Sequence, residues 1–346
     1  MDHHGWSLRV GAGVILCALL LRLTATGFFQ PVAEFFAKPN IVSFLIYLET
    51  GRIVRFSPSL EDVPVFARES PEPDFARQVT EPAKAQPPAE PQQQSIRFTA
   101  QDAAGIKFKN SAGVKFDAAT LLTQPLQWDL TSEEPAVLIL HTHGTESYTR
   151  SEGEKYKETS AFRTLDDGYN LISVGDQLAQ LLEAGGIRVL HDRKMHDYPS
   201  YNGSYSNARK EIKRYLKENP SIRLVLDLHR DASADNNNQM RTRATVDGKD
   251  SAQIMFVVGT GSAGTKNPNW KDSLSLALKL QVKMERRAAG ICRNINLRAQ
   301  RFNQDLVPNM LLVEVGAAGN TRAEALTAVE VLAQAILELA EGTQEG

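Results

Sequence analysis

The chain has 346 residues, 42% hydrophobic and 23% charged, enough for one large domain with appendages or for two modest domains. A formal net charge of −2 leaves no basic footprint, which argues against nucleic acid as a partner. The two cysteines, Cys17 and Cys292, cannot form a disulfide framework or a paired-thiol metal site in the folded region, because Cys17 lies in an N-terminal apolar run. Leu16, bulky where a small residue is needed, also argues against lipidation of Cys17.

Residues 1–29 carry that apolar run, interrupted at Arg22, and with its flanks it can span a bilayer that needs roughly 20 apolar residues. An uncleaved signal anchor is expected, placing the remainder outside the cytoplasm as a single-pass membrane protein. A cleaved signal is the alternative, with residues 24–27 nearest to a cleavage site. Residues 30–56 form a juxtamembrane segment whose apolar stretch, 41–48, is too short to span. Residues 57–95 lose periodicity and gain proline, as a spacer between membrane and enzyme would. Residues 96–134 alternate in short pieces around 106–109 and 114–116, which predicts a β-rich lead-in of one or two hairpin strands.

From 135 to 346 the pattern is that of one main domain. Continuous apolar runs at 136–140, 187–190, 223–228, 253–258 and 310–315 predict buried strands. Helices are predicted from Leu171 to the Gly185-Gly186 stop, over 204–216, over 270–288, and from the Thr321/Glu324 capping box onward. Cys292 is placed late in the third of these, among core residues. Strands alternating with helices imply an α/β fold: a mostly parallel central sheet flanked by helices, preceded by the anchor and linker.

In open α/β sheets, ligands gather beyond the carboxyl ends of the strands. Three predicted strands end there in polar residues: one in His141, His143 and Glu146, one in His229, Arg230 and Asp231, one in Glu314. Histidines with carboxylates from separated strands suit a catalytic zinc, which takes three protein ligands and keeps one position open for water. No serine stands at a strand end in a nucleophile-elbow pattern, and no glycine-rich phosphate loop follows the first strand.

The residues also resemble a known family. Residues 137–148 (Val-Leu-Ile-Leu-His-Thr-His-Gly-Thr-Glu-Ser-Tyr), 227–232 (Asp-Leu-His-Arg-Asp-Ala), 302–306 (Phe-Asn-Gln-Asp-Leu), 311–316 (Leu-Leu-Val-Glu-Val-Gly) and 47–52 (Tyr-Leu-Glu-Thr-Gly-Arg) look like the stage II sporulation protein P family. That resemblance implies zinc-dependent cleavage of peptidoglycan, as N-acetylmuramoyl-L-alanine amidase and as endopeptidase, in septal wall thinning and engulfment during endospore formation. It implies partners too: stage II sporulation proteins D and M, at the intermembrane space of the sporulation septum. The domain is also distantly similar to the zinc amidases of cell-wall turnover. Laid on their pattern, the first ligand is His143, with His141 structural or orienting; His229 follows as a later ligand and Glu314 stands at their catalytic glutamate. Their second ligand precedes a helix-opening asparagine by four residues, a place held here by Asp166 before Asn170. Glu146, three residues from His143, is the preferred carboxylate and Asp166 the competitor.

Arg230, Asp231 and Arg209 are expected either to bind substrate carboxylates and orient ligands or to form a salt-bridge network around the site. His191 and His196 are expected to be loop or rim residues, and Asn303, Gln304 and Asp305 to lie along the cleft. A zinc carboxypeptidase or endopeptidase confined to stem peptides, and an inactive wall-binding scaffold of a membrane complex, are the competing functions.

Overall fold

A computed structural model of the chain describes residues 98–126, 128–233 and 238–342. The expected anchor (1–29), juxtamembrane segment (30–56) and linker (57–95) lie outside the described residues. Among those described, no helix is long and apolar enough to cross a membrane.

In chain order the elements begin α1 (Ala100–Ala104), β1 (Phe108–Asn110), α2 (Ala118–Thr123) and β2 (Val137–Leu140), then the hairpin β3 (Glu158–Ser160) with β4 (Arg163–Thr164). They continue with α3 (Leu171–Ala184), β5 (Val189–His191), α4 (Ser204–Glu218), β6 (Leu224–Asp231), and the hairpin β7 (Ala244–Val246) with β8 (Lys249–Ser251). Last come β9 (Ile254–Gly259), α5 (Trp270–Arg287), β10 (Ile295–Arg298), β11 (Met310–Ala317) and α6 (Arg322–Gly342). Seven strands form one sheet in the order β1-β10-β9-β11-β6-β2-β5. Every pairing is parallel except β9 with β11. The expected mostly parallel α/β sheet is therefore present.

The lead-in differs from the expectation. No hairpin forms there: β1 pairs in parallel with β10 and becomes the sheet's edge, while Phe116 folds back edge-on to Phe108 at 5.0 Å between ring centres. The strand β10 went unrecognised because its four residues alternate apolar and polar, and so lack the continuous apolar run of its neighbours. Cys292 lies beyond α5, not within it; the helix stops at Ala288 in extended conformation. Burial, then Glu285, pushes its thiol well above the usual range.

The two sheet faces are unequal. Alternate residues such as Leu226, Leu228, Val313, Val315, Phe256 and Leu297 join α1, α2, α3, α5 and α6 in the main core. Each such fully buried side chain stabilises the fold by roughly 1.5–3 kcal/mol. On the opposite face α4 packs through Ala208 and Ile212 against Leu138, Leu140 and Val225, and its Tyr205 joins Phe302 over Met255, Val257 and Leu312. The helix α6 starts with the expected capping box, Thr321 N donating to Glu324 at 2.8 Å and Glu324 N to Thr321 Oγ1 at 3.3 Å.

Candidate active site

Strand β6 runs three residues further than expected and carries His229 and Asp231 inside it. Asp227 and His229, two apart, share the face away from the main core, and parallel pairing sets Glu314 of β11 beside His229. A register shift between Glu314 and Ala317 follows, with Gly316 at φ 69 and no room for a Cβ against Ala252 at 2.8 Å. Bulges of this kind re-aim side chains next to sites. His143 arrives from the turn after β2, closed by Glu146 N donating to His143 O at 3.0 Å.

His143, His229 and Glu314 line one cavity of about 130 Å³, walled by Tyr201, Tyr205 and Phe302. The three polar side chains are at most 2% exposed. The imidazoles stand 5.2 Å apart, nearly perpendicular, and Tyr201 stacks on His143 at 4.5 Å. A roomier cleft of about 460 Å³ beside α1 and α5 is lined by no histidine. Chemistry, not volume, marks the site.

Carboxylates surround the histidines. His229 Nε2 lies 3.1 Å from Asp227 Oδ1 and its Nδ1 3.9 Å from Glu146 Oε2. Burial opposes the imidazolium of His229, yet Asp227, Glu146 and Glu314 together hold its pKa above the ordinary value. Asp227 is fixed by Thr142, whose N and Oγ1 donate to it at 2.7 and 2.6 Å. Asp197 Oδ2 lies 4.0 Å from His143 Nδ1. Burial raises the Asp197 carboxyl, against the pull of Arg163. Arg163 ties the cluster together, donating to Asp197, Thr145 and Glu146 and covering the Tyr201 ring at 4.9 Å.

The predicted residues fare differently. Glu146, 1% exposed, accepts from Arg230 N at 3.1 Å and faces His229. Asp166 is exposed in a turn, where its Oδ1 accepts from Gly168 N at 3.2 Å. His141 points to the α3 side of the sheet, its Nε2 2.8 Å from His191 Nε2, with Asp176 3.0 Å from His191 Nδ1. Burial, then His191, holds His141 well below its usual pKa. His191 thus ends β5 bound to His141, neither in a loop nor at the rim, while His196 lies in a turn, as expected of a loop residue, but buried 3.0 Å from Asp192. A Cβ on Gly175 would meet His191 Nε2 at 2.5 Å and His141 Nε2 at 2.6 Å. Such overpacking costs about 1–3 kcal/mol, more than the roughly 1 kcal/mol that alanine returns in helix preference. Gly175→Ala is expected to lower the urea midpoint; an unchanged midpoint would disprove the tight fit.

The arginines divide. Arg230 is spent on structure, Nε donating to Ser147 O at 2.9 Å and Nη2 to Phe162 O at 2.8 Å. Arg209 grips Asp305 through two bonds, at 2.8 and 2.7 Å. Gln304 spans Val257 O and Gly259 N, at 2.8 Å each. Arg209, Gln304 and Asp305 do not line the cavity; they clamp the loop that presents Phe302, which holds φ 49 with Asn303 at φ 61. Non-glycine residues in that region store strain of the kind found at functional sites. Asp231 does line the cavity and pairs with Arg293 at 2.9 Å.

Among the described residues no three His, Cys, Asp or Glu side chains close on one point as a finished metal cage. The donors nonetheless suit zinc chemically. Bonds of 2.0–2.2 Å put tetrahedral ligand atoms about 3.4 Å apart, near the 3.9 Å between His229 Nδ1 and Glu146 Oε2. A carboxylate offers about four lone-pair directions, so Glu146 can accept from Arg230 N and still ligate.

A model of the family described as Stage II sporulation protein P matches residues 59–337. The chain belongs to that family. It is 28% identical over 220 residues to stage II sporulation protein P of Bacillus subtilis (strain 168), covering 60% of this chain and 52% of that protein, so it spans about half the length of that relative. Similar solved structures include the N-acetylmuramoyl-L-alanine amidase AmiC2 of Nostoc punctiforme, 15% identical over 61% of this chain and 99% of that one, TM-score 0.35. The catalytic domain of the amidase CwlV of Bacillus (Paenibacillus) polymyxa var. colistinus is 13% identical, covering 61% and 98%, TM-score 0.36.

Several site residues escaped the reading of the sequence. Tyr205 lies in the first turn of α4 and Tyr201 precedes the left-handed Gly203 ahead of that helix, so their spacing of four gave no helical signal. Asp227 and His229 alternate on a strand, which by itself places both on one face. Asp197, Arg163, Asn296 and Arg298 carried no comparable mark.

Proposed function

We propose that this chain is a peptidoglycan hydrolase, a zinc-dependent N-acetylmuramoyl-L-alanine amidase with endopeptidase activity on peptide cross-links. The convergence of His143, His229 and Glu314 from three chain segments on one cavity carries this assignment, in a chain of a sporulation family. His143, His229 and Glu146 would hold the metal. When bound, zinc lowers the pKa of a water to about 7 and polarises the scissile carbonyl. Glu314 takes the water proton and returns it to the amide nitrogen as the C–N bond breaks. Asp227 orients His229, as carboxylates beside ligand histidines do. The aromatic walls Tyr201, Tyr205 and Phe302 exclude water and offer apolar faces to the substrate. An N-terminal anchor, action at the sporulation septum during engulfment, and work beside stage II sporulation proteins D and M complete the proposal.

Zinc content and product analysis on purified sacculi test it. Glycan strands stripped of peptide mark an amidase; cut peptides on still-substituted glycan mark an endopeptidase alone; intact sacculi with no bound zinc mark a scaffold. Glu146→Ala is expected to lose stoichiometric zinc and Asp166→Ala to keep it; the reverse pattern would reassign the carboxylate ligand.

A further inference from the structure

The cavity extends past Glu314 onto the half of the sheet beyond the main footprint of α4. Cross-strand register aligns Lys109 of β1, Asn296 of β10, Val257 of β9 and Leu312 of β11 in one row. Arg298, two residues beyond Asn296, shares that face. All five line the same cavity as His143, His229 and Glu314. Helix α4 packs over Leu138, Leu140 and Val225 and reaches this half through Tyr205, which with Phe302 packs on Val257 and Leu312; the other described helices lie on the opposite face.

This row has a chemistry of its own. Lys109, Arg293 and Arg298 border the cavity together with two carboxylates, Asp231, which pairs with Arg293, and Glu314, so the cations are in excess by one. Lys109 is exposed and has no ion-pair partner among the described residues. Asn296 is only 6% exposed, and its Oδ1 has no hydrogen-bond partner among the described residues. Buried amides are normally paired, so an unpartnered one on a cavity floor marks a ligand contact. Its carboxamide can meet a peptide amide with its oxygen or a carboxylate with its N–H. Clustered cations at such a floor favour an anion.

We propose that this row is the subsite for the peptide arm of the substrate, and that Lys109, Asn296 and Arg298 recognise a carboxylate on it. This assignment rests on the hydrolase proposed above. Spacing sets where that carboxylate falls. From β11 to β1 is three strand intervals of about 4.8 Å, roughly 14 Å in all. Extended peptide covers about 3.3–3.6 Å per residue, so the recognised carboxylate lies about four residues along the arm from the cleaved bond. These side chains determine specificity and take no part in bond breaking.

The test measures calorimetric binding of muramyl peptides of two to five residues, with their carboxylates free or amidated, to full-length Glu314→Gln protein. Preference for the free form is expected at about tenfold, a single charge-assisted contact, for arms of four residues and to fade for two. Lys109→Glu in the same background should reduce it to within about twofold. That position is exposed, so the variant remains informative even where Asn296→Leu fails to fold. Equal affinity for both forms, no binding of either, or an unchanged preference in Lys109→Glu would overturn the subsite. Cleavage by wild-type protein is followed in parallel. Discrimination without cleavage removes the hydrolase and keeps the subsite; cleavage without discrimination does the opposite.

Discussion

Glu314→Gln is expected to leave zinc bound and to reduce cleavage of purified sacculi by at least about 100-fold, the low end of what a positioned general base contributes. The substitution keeps shape and removes the negative charge. Because Glu314 is 2% exposed within β11, an isosteric amide leaves the strand and the bulge after it intact. A stability loss is therefore not the expected cause of inactivity, and thermal unfolding of the variant checks this. Glutamine can neither take a proton from water nor return one to the amide nitrogen. Activity within about fivefold of wild type would remove Glu314 from the proton-transfer role, since that is under a tenth of a typical effect.

His143→Ala and His229→Ala are each expected to lose stoichiometric zinc and all measurable amidase activity, whereas His141→Ala keeps the metal. Three histidines of the motifs separate here by geometry. His143 and His229 meet in the cavity with rings 5.2 Å apart, while His141 is turned to the far side of the sheet and engaged with His191. Removing His141 opens a hole beside Gly175 and weakens the packing of α3 on β2 without touching the donors. Its effect on metal affinity stays within the roughly 10–100-fold typical of residues behind a ligand. Metal analysis by mass spectrometry on the three purified variants decides the matter. Full zinc in His143→Ala, or none in His141→Ala, would exchange their roles.

Much of the fold was legible because buried parallel strands are apolar throughout. The runs that became β2, β6, β9 and β11 needed no tertiary information, and the Gly185 stop and the Thr321/Glu324 box marked helix ends by backbone chemistry alone. β10 escaped for the opposite reason. Its Asn296 and Arg298 face an open cavity, so the strand shows alternation over only four residues. The lead-in was misread as a hairpin because local alternation does not reveal which distant strand will complete the hydrogen bonds of β1. Likewise, Arg209 and Asp305 are 96 positions apart in the chain, and nothing local foretells that they pair with each other.

Sequence alone determined the residue types and the segments that carry them: His143 after β2, His229 on β6 and Glu314 on β11, with the strand parity of His229 and Asp227 written into their spacing. What the tertiary structure decided was direction. His141 and His143 have equal parity, but the strand ends at Leu140, and the turn that follows carries His143 to the cavity while His141 stays on the α3 side. The same folding set Glu146 beside His229 and left Asp166 in an exposed turn. It also brought Lys109, 205 residues before Glu314 in number, onto the same sheet face. Such choices depend on which strands pair across the sheet, and pairing between distant segments is fixed by burial of the whole core, not by any local pattern.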